Sequence, residues 1–317
     1  MLSSPQSIPI VDGHVDILFE LRENHPGKTF REITSGSVTL GNLIRGNVRV
    51  IVSAIYCADQ YNGEGSSANH FKELVDYAQE HLDGLIPLRT SQELLSAYES
   101  GGQQPATLFL LENADALVDL DVTELDALAI RVVGLTHAGK NRIGDGNGIF
   151  LPGGLTREGK RVIQRLREVG WAVDVAHLSD PCFWELMDLF DGPLVASHTG
   201  FRFFCDTPRN LTKDQVRTLV ERRAVIGISV NSEMLSIGRQ ADEEDVFRHI
   251  DWMVQSFGCG FVALGSDYCG SFFVAEGLED ISRLSVLADR MVRDGYPPEA
   301  VRAVMGGNWV RIYSNLF

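Results

Sequence analysis

Trp171-Ala-Val-Asp-Val-Ala-His177 and Leu194-Val-Ala-Ser-His198 read as two short strands, each closing on a histidine. Their apolar residues do not alternate with polar ones, the pattern expected when both faces of a strand are covered. The same pattern recurs along the chain. Ile8-Pro-Ile-Val-Asp12 is followed by His14 and Asp16, Thr107-Leu-Phe-Leu-Leu-Glu112 ends on a carboxylate, and Val262-Ala-Leu-Gly-Ser-Asp267 does likewise. Residues 47–56, 131–136 and 224–230 supply three more runs. Eight such strands separated by segments of helical spacing predict an α/β chain closed into a (β/α)8 TIM barrel. The C-terminal ends of barrel strands share one rim, which is where barrels place their chemistry. A doubly wound open sheet is the alternative, but no GxGxxG follows Val11 to form its phosphate loop.

The chain has 317 residues, 44% hydrophobic and 22% charged, a size and composition that suit one undivided barrel domain over 1–317. Its net charge of −15 disfavours nucleic acid and anionic membrane as partners. The five cysteines show no CxxC spacing, which points to free thiols in a reducing compartment, the cytoplasm. Met1–Pro9 lacks the basic and apolar regions of a signal peptide, and no stretch is long and apolar enough to predict a membrane span.

Helical spacing is read over 70–82, 156–169, 180–190, 244–257 and 280–293, and from Pro298 to Met305. Thr212-Lys-Asp-Gln215 reads as a capping box opening a helix over 216–223. Residues 62–69 and 139–154 read as glycine-rich rim loops, the second as a lid.

Six residues at strand ends carry metal chemistry. His14 and Asp16, two apart on an extended chain, face the same way and can grip one cation. Glu112 ends an otherwise apolar run, and a buried carboxylate there needs a cation, a proton or an arginine. It suits a ligand bridging two metals. His177 and His198 end consecutive strands, which lie about 5 Å apart and so can share an ion. Asp267 follows the last strand, next to the first, and suits a ligand or a general base. His137 follows the fourth strand without a partner ligand and is placed to touch substrate. Arg209, in the loop after the sixth strand, can hold a carboxylate bidentately or pair with Asp206 at the surface. Histidine with carboxylate favours zinc, with manganese or iron also fitting, and two ions about 3.5–4 Å apart suit hydrolysis.

These segments, taken in order, resemble the renal (membrane) dipeptidases, peptidase family M19. The resemblance rests on Asp12-Gly-His-Val-Asp16, the strand end at Glu112, Gly134-Leu-Thr-His137, Asp174-Val-Ala-His-Leu-Ser-Asp180, Ala196-Ser-His198 with Pro208-Arg-Asn-Leu211, Gly265-Ser-Asp-Tyr268 and Gly306-Gly-Asn-Trp-Val-Arg311. It implies a binuclear zinc dipeptidase, generally a homodimer, acting on dipeptides that often carry a D-residue at the C-terminal position. One zinc would sit on His14, Asp16 and Glu112, the other on Glu112, His177 and His198. Asp267 would be the acid/base, His137 the contact to the scissile carbonyl, and Arg209 the contact to the far end of the substrate. The chain departs from the family pattern at Val15, at Tyr268-Cys269, and at Thr199-Gly-Phe201. A deaminase or lactonase of the same barrel class is the rival reading. Many of those carry H-x-H after the first strand and a bridging lysine, where this chain has H-x-D and Glu112.

Overall fold

The structure is a computed structural model and describes residues 8–99, 104–271 and 273–317. The leader expectation for Met1–Pro9 falls mostly on 1–7, outside the described residues. The strands are β1 Ile10–Val15, β2 Val48–Tyr56, β3 Ile86–Pro87, β4 Ala106–Glu112, β5 Val132–Gly134, β6 Ala172–Asp174, β7 Leu194–Thr199, β8 Val225–Ile228 and β9 Val262–Leu264. Every pairing is parallel. β2 pairs with β4 in register from Val50↔Ala106 to Tyr56↔Glu112, and β9 returns to β1 at Asp12↔Leu264. All the strands except β3 therefore close into an eight-membered ring, and β3 adds to the start of β4. The eight strands of the ring are those read from sequence, with ends shifted by a few residues; the two-residue β3 was not read.

Residues along each strand alternate between two packing environments. Val11, Val50, Val52, Leu108 and Leu110 pack with Trp309, whereas Ile10, Ile51, Phe109 and Leu111 pack with the surrounding helices. Both sets are fully or almost fully buried, which is why the runs read as continuously apolar. Trp309 comes from the C-terminal helix Asn308–Leu316, and its indole Nε1 donates to the Leu264 carbonyl at 2.6 Å. Asn308 Nδ2 donates to the carbonyls of Cys259 (2.7 Å) and Val262 (2.8 Å). The Gly-Gly-Asn-Trp motif thus pins this helix to β9 and seats an aromatic ring against β1, where a Cβ on Gly13 would lie 2.3 Å from that ring.

The predicted helices are present, and the box at Thr212 is formed: Gln215 N donates to Thr212 Oγ1, and Thr212 N donates to Gln215 Oε1. Among the described residues, five α-helices were not read from sequence: Ile17–Asn24, Leu40–Arg45, Ser91–Glu99, Ser232–Leu235 and Asn308–Leu316. Two loop expectations need correction. Helix Ser66–His81 begins inside the expected 62–69 loop, because Gly65 takes a left-handed φ of 71° that turns the chain directly into the helix. The 139–154 segment is a pinned rim loop rather than a free lid. Asn141 Nδ2 donates to Asn113 Oδ1 and the Leu135 carbonyl, Arg142 holds Asp115 and Asp119, and Gly153 N donates to Asp145.

His249 sits outside the rim and is fully buried. It stacks on Phe201 at 5.1 Å, and neither ring nitrogen has a hydrogen bond. Burial pushes its pKa down from 6.5 to about 3. The folded state therefore excludes a proton that the unfolded chain accepts below pH 6.5, so stability falls as pH drops from there toward 3. This one residue costs about 2 kcal/mol at pH 5. His249→Leu is expected to flatten the decline in unfolding free energy between pH 7 and pH 5 by about that amount in urea titrations. An unchanged decline would assign the acid sensitivity elsewhere.

Candidate metal centre

The strand-end residues meet at the C-terminal rim. His14 Nε2 lies 3.3 Å from Asp16 Oδ2 and 3.7 Å from Glu112 Oε2. The other oxygen of the same carboxylate, Glu112 Oε1, lies 2.9 Å from His177 Nε2 and 3.8 Å from His198 Nε2. His177 Nε2 and His198 Nε2 are 3.1 Å apart. The donor atoms group as His14/Asp16/Glu112 and Glu112/His177/His198, the two sets read from sequence, with His14/His198/Asp267 as a third grouping.

Backbone geometry helps to place these groups. His177 and Asp267 adopt left-handed φ of 64° and 67°, and Asn113, directly after Glu112, takes 70°. Such values are rare outside glycine and concentrate at functional sites. Ser197 holds two histidines of the cluster at once. Its hydroxyl lies 2.8 Å from His198 Nδ1 and 3.2 Å from His14 Nδ1. With two lone pairs it can accept both N–H groups, leaving both Nε2 atoms for an ion. Gly265 makes room for this serine, since a Cβ there would lie 1.7 Å from the Ser197 carbonyl. Ser197→Ala is expected to weaken metal binding by about 10–100-fold in calorimetric titration with the fold intact by circular dichroism. Unchanged affinity would mean that the hydroxyl does not hold the ligands.

The electrostatics call for cations. Asp16, Glu112 and Asp267 are all buried. Burial raises Glu112, and burial followed by the charge of Asp16 pushes Asp267 up to about 7. Burial alone would lower His14, but Asp16 and then Glu112 outweigh it and raise it to about 10. Burial, with the charges of Arg209 and His14 behind it, holds His177 and His198 well below the ordinary histidine value, so both are neutral bases. His14 Nε2 is buried without a hydrogen bond. Converging carboxylates, neutral imidazoles aimed at each other and an orphaned ring nitrogen fit a divalent pair; nitrogen with carboxylate oxygen is the donor chemistry of zinc, manganese or iron.

A cavity of about 590 Å³ opens onto this cluster, lined in part by Asp16, Glu112, His137, His177, Arg209 and Asp267. Arg209 points inward rather than pairing with Asp206; its NH2 donates to His177 Nε2 and to the His198 carbonyl, both at 3.1 Å. His137 lies with its ring 4.4 Å from that of His177 and its Nδ1 3.1 Å from Asp59 Oδ2. Asn231 Nδ2 donates to Asp267 Oδ2 at 3.3 Å. Sequence reasoning gave no role to Asp59, Ser197 or Asn231. Ser197 stood inside the quoted Ala196-Ser-His198 segment, whereas Asp59 and Asn231 carried no signal of their own.

A closed parallel barrel with histidines and carboxylates converging on its C-terminal rim defines the class: a (β/α)8 barrel of the metal-dependent hydrolase type. The profile of the membrane dipeptidases, peptidase family M19, matches residues 5–316, and the chain belongs to that family. It is 30% identical over 208 residues to an uncharacterized Klebsiella pneumoniae protein in the pqqA 5′ region, covering 62% of this chain and 76% of that one. It is 24% identical over 330 residues to dipeptidase 3 of Rattus norvegicus, covering 98% of this chain but only 66% of the rat protein, so it spans about two thirds of that relative. Among solved structures it resembles the dipeptidase AC, a metallo peptidase of family M19 (25% identity, TM-score 0.83, 96% of this chain and 98% of that one). A Rhodobacter sphaeroides metallo peptidase liganded with a phosphinate mimic of L-Ala-D-Ala shares the fold (23% identity, TM-score 0.82, 98% and 99% covered).

Proposed function

We propose that this chain is a metal-dependent dipeptidase that holds two divalent ions, zinc by preference, and hydrolyses the peptide bond of dipeptides. The observation that carries the reading is Glu112, whose two oxygens face two separate histidine sets. His14, Asp16 and Glu112 would hold one ion, and Glu112, His177 and His198 the other. Divalent ions so held supply Lewis acidity, acidifying a water and polarising a carbonyl.

The chain supplies the rest. Arg209 takes the substrate carboxylate through its planar fork. One imidazole lone pair serves one partner, so ligation through His177 Nε2 frees the Arg209 NH2 for this contact. His137 donates to the oxygen of the scissile carbonyl as charge develops there. Asp267, steadied by Asn231, takes the proton of the attacking water at its carboxylate and delivers it to the leaving nitrogen. The burial of the cluster keeps bulk water from competing with these contacts.

A D-residue at the C-terminal position is part of the proposal. It rests on the family resemblance, and the ligand of the R. sphaeroides relative is of that stereochemistry. The proposal also includes a homodimer of one-domain chains in the cytoplasm. The free cysteines support the compartment, and no helix among the described residues is long and apolar enough to cross a membrane. The test is a screen of the zinc-loaded protein against L-Xaa-L-Xaa and L-Xaa-D-Xaa dipeptide libraries, with size-exclusion chromatography for the dimer. Cleavage in either library supports the reading. Deamination or lactone opening without peptide cleavage replaces it with the rival one.

A further inference from the structure

Asp59 lies in the loop after β2, three residues beyond the end of the strand at Tyr56. Its Oδ2 is 3.1 Å from His137 Nδ1 and accepts from the Gly139 amide at 2.9 Å. Its Oδ1 accepts from Asn62 Nδ2 at 3.3 Å and from Asn113 Nδ2 at 3.4 Å. Asn113 directly follows Glu112, and its amide also reaches the Cys57 carbonyl (2.6 Å) and Asn62 Oδ1 (2.8 Å), while its Oδ1 accepts from Asn141. One hydrogen-bonded frame therefore joins the Glu112 strand end, the loop after β2 and the rim loop beyond His137. The Tyr56 hydroxyl also approaches His137 Nδ1, but at 3.5 Å, the limit of a hydrogen bond.

We propose that Asp59 is a positioning residue for His137: it holds the Nδ1–H of the ring so that Nε2 is presented to the substrate. An ionised carboxylate only accepts, so the nitrogen facing it must carry hydrogen. The ring is then fixed at one end, and the other nitrogen is left for the cavity that His137 lines. This is the logic by which an aspartate orients a working histidine in hydrolases with a Ser-His-Asp triad. Here the aspartate is itself anchored by three donors from three segments of the rim. The inference rests on the role given to His137 in the proposed function.

Asp59→Asn is the sharpest variant: with its oxygen in the place of Oδ1 it still accepts from Asn62 and Asn113, while its amide nitrogen, in the place of Oδ2, faces His137 Nδ1 as a donor in exchange for the Gly139 contact. The expected result is a fall in kcat on the best dipeptide of about 10–100-fold, with KM within about threefold and metal content unchanged. In a His137→Gln background the same change should alter kcat by less than about twofold, because the histidine it serves is gone. An independent readout needs no substrate: long-range 1H–15N spectra of the wild-type protein should show His137 Nδ1 protonated, and those of Asp59→Asn should show it unprotonated. Wild-type kcat in Asp59→Asn, an equal loss with and without His137, or an unprotonated wild-type Nδ1 overturns the proposal. If the wild-type protein cleaves no dipeptide, the functional reading has failed, and the nitrogen spectra alone decide whether Asp59 holds the ring.

Discussion

Asp267→Asn lowers kcat for dipeptide hydrolysis by about 10³-fold, equivalent to about 4 kcal/mol, while the protein keeps its full complement of metal. Asparagine suits this test for two structural reasons. Asp267 sits at a φ of 67°, and asparagine is among the few residues that tolerate the left-handed region. Its side-chain oxygen can still accept from Asn231 Nδ2, as Asp267 Oδ2 does now. What the amide cannot do is take up a proton from water and pass it on. The loss should therefore fall on kcat, with KM little changed. The check is steady-state kinetics on the best dipeptide with metal analysis of the same sample. Turnover like that of the unmodified protein would remove Asp267 from the mechanism; loss of metal along with activity would make it a ligand instead.

Glu112→Gln has a larger effect of a different kind: it opposes metal binding while relieving the metal-free protein. Glu112 faces His14 with one oxygen and His177 with the other, so neutralising it weakens both sets together. Metal affinity should fall by roughly a hundredfold or more, and dipeptidase activity with it. In the metal-free protein, however, Glu112 is a buried carboxylate beside Asp16, and burial already raises its pKa. Removing that charge should leave the metal-free protein as stable as before, or more so. Thermal melts with chelator and with zinc read both effects. The unmodified protein should gain a large rise in Tm on adding zinc, since a ligand bound only to the folded state stabilises it by mass action. Glu112→Gln should gain little. An equal zinc-induced rise in the two proteins would mean that Glu112 does not join the two sets.

The rim cluster was legible because a parallel barrel turns position along the chain into position in space. A histidine or carboxylate that ends an apolar run must lie on the rim, and His14, Glu112, His177, His198 and Asp267 all follow that rule. Asp59 and Asn231 did not stand out because they sit in loops, where the chain path rather than a periodicity decides what a side chain reaches. Ser197 is on a strand, but its bond to two histidines depends on how closely β7 approaches β1 and on the missing side chain of Gly265. The 139–154 loop misled for a related reason. Its glycines suggested freedom, whereas Gly146 and Gly148 allow close approach to the 137–138 backbone, where a Cβ at Gly146 would lie 1.9 Å from the His137 carbonyl. The C-terminal helix was missed beyond Met305 because the pair Gly306-Gly307 looks like a stop. In the structure those glycines form a wider turn, Ala303–Gly307, that leads into the helix carrying Trp309.

The most direct test is to count and locate the ions. The protein loaded with zinc and freed of excess should be analysed by elemental mass spectrometry and by anomalous diffraction at the zinc edge. The account predicts two ions per chain, one among His14, Asp16 and Glu112, the other among Glu112, His177 and His198, with the Glu112 carboxylate between them. Stoichiometric zinc absent from this rim, or a single ion with Glu112 outside its coordination sphere, would contradict it.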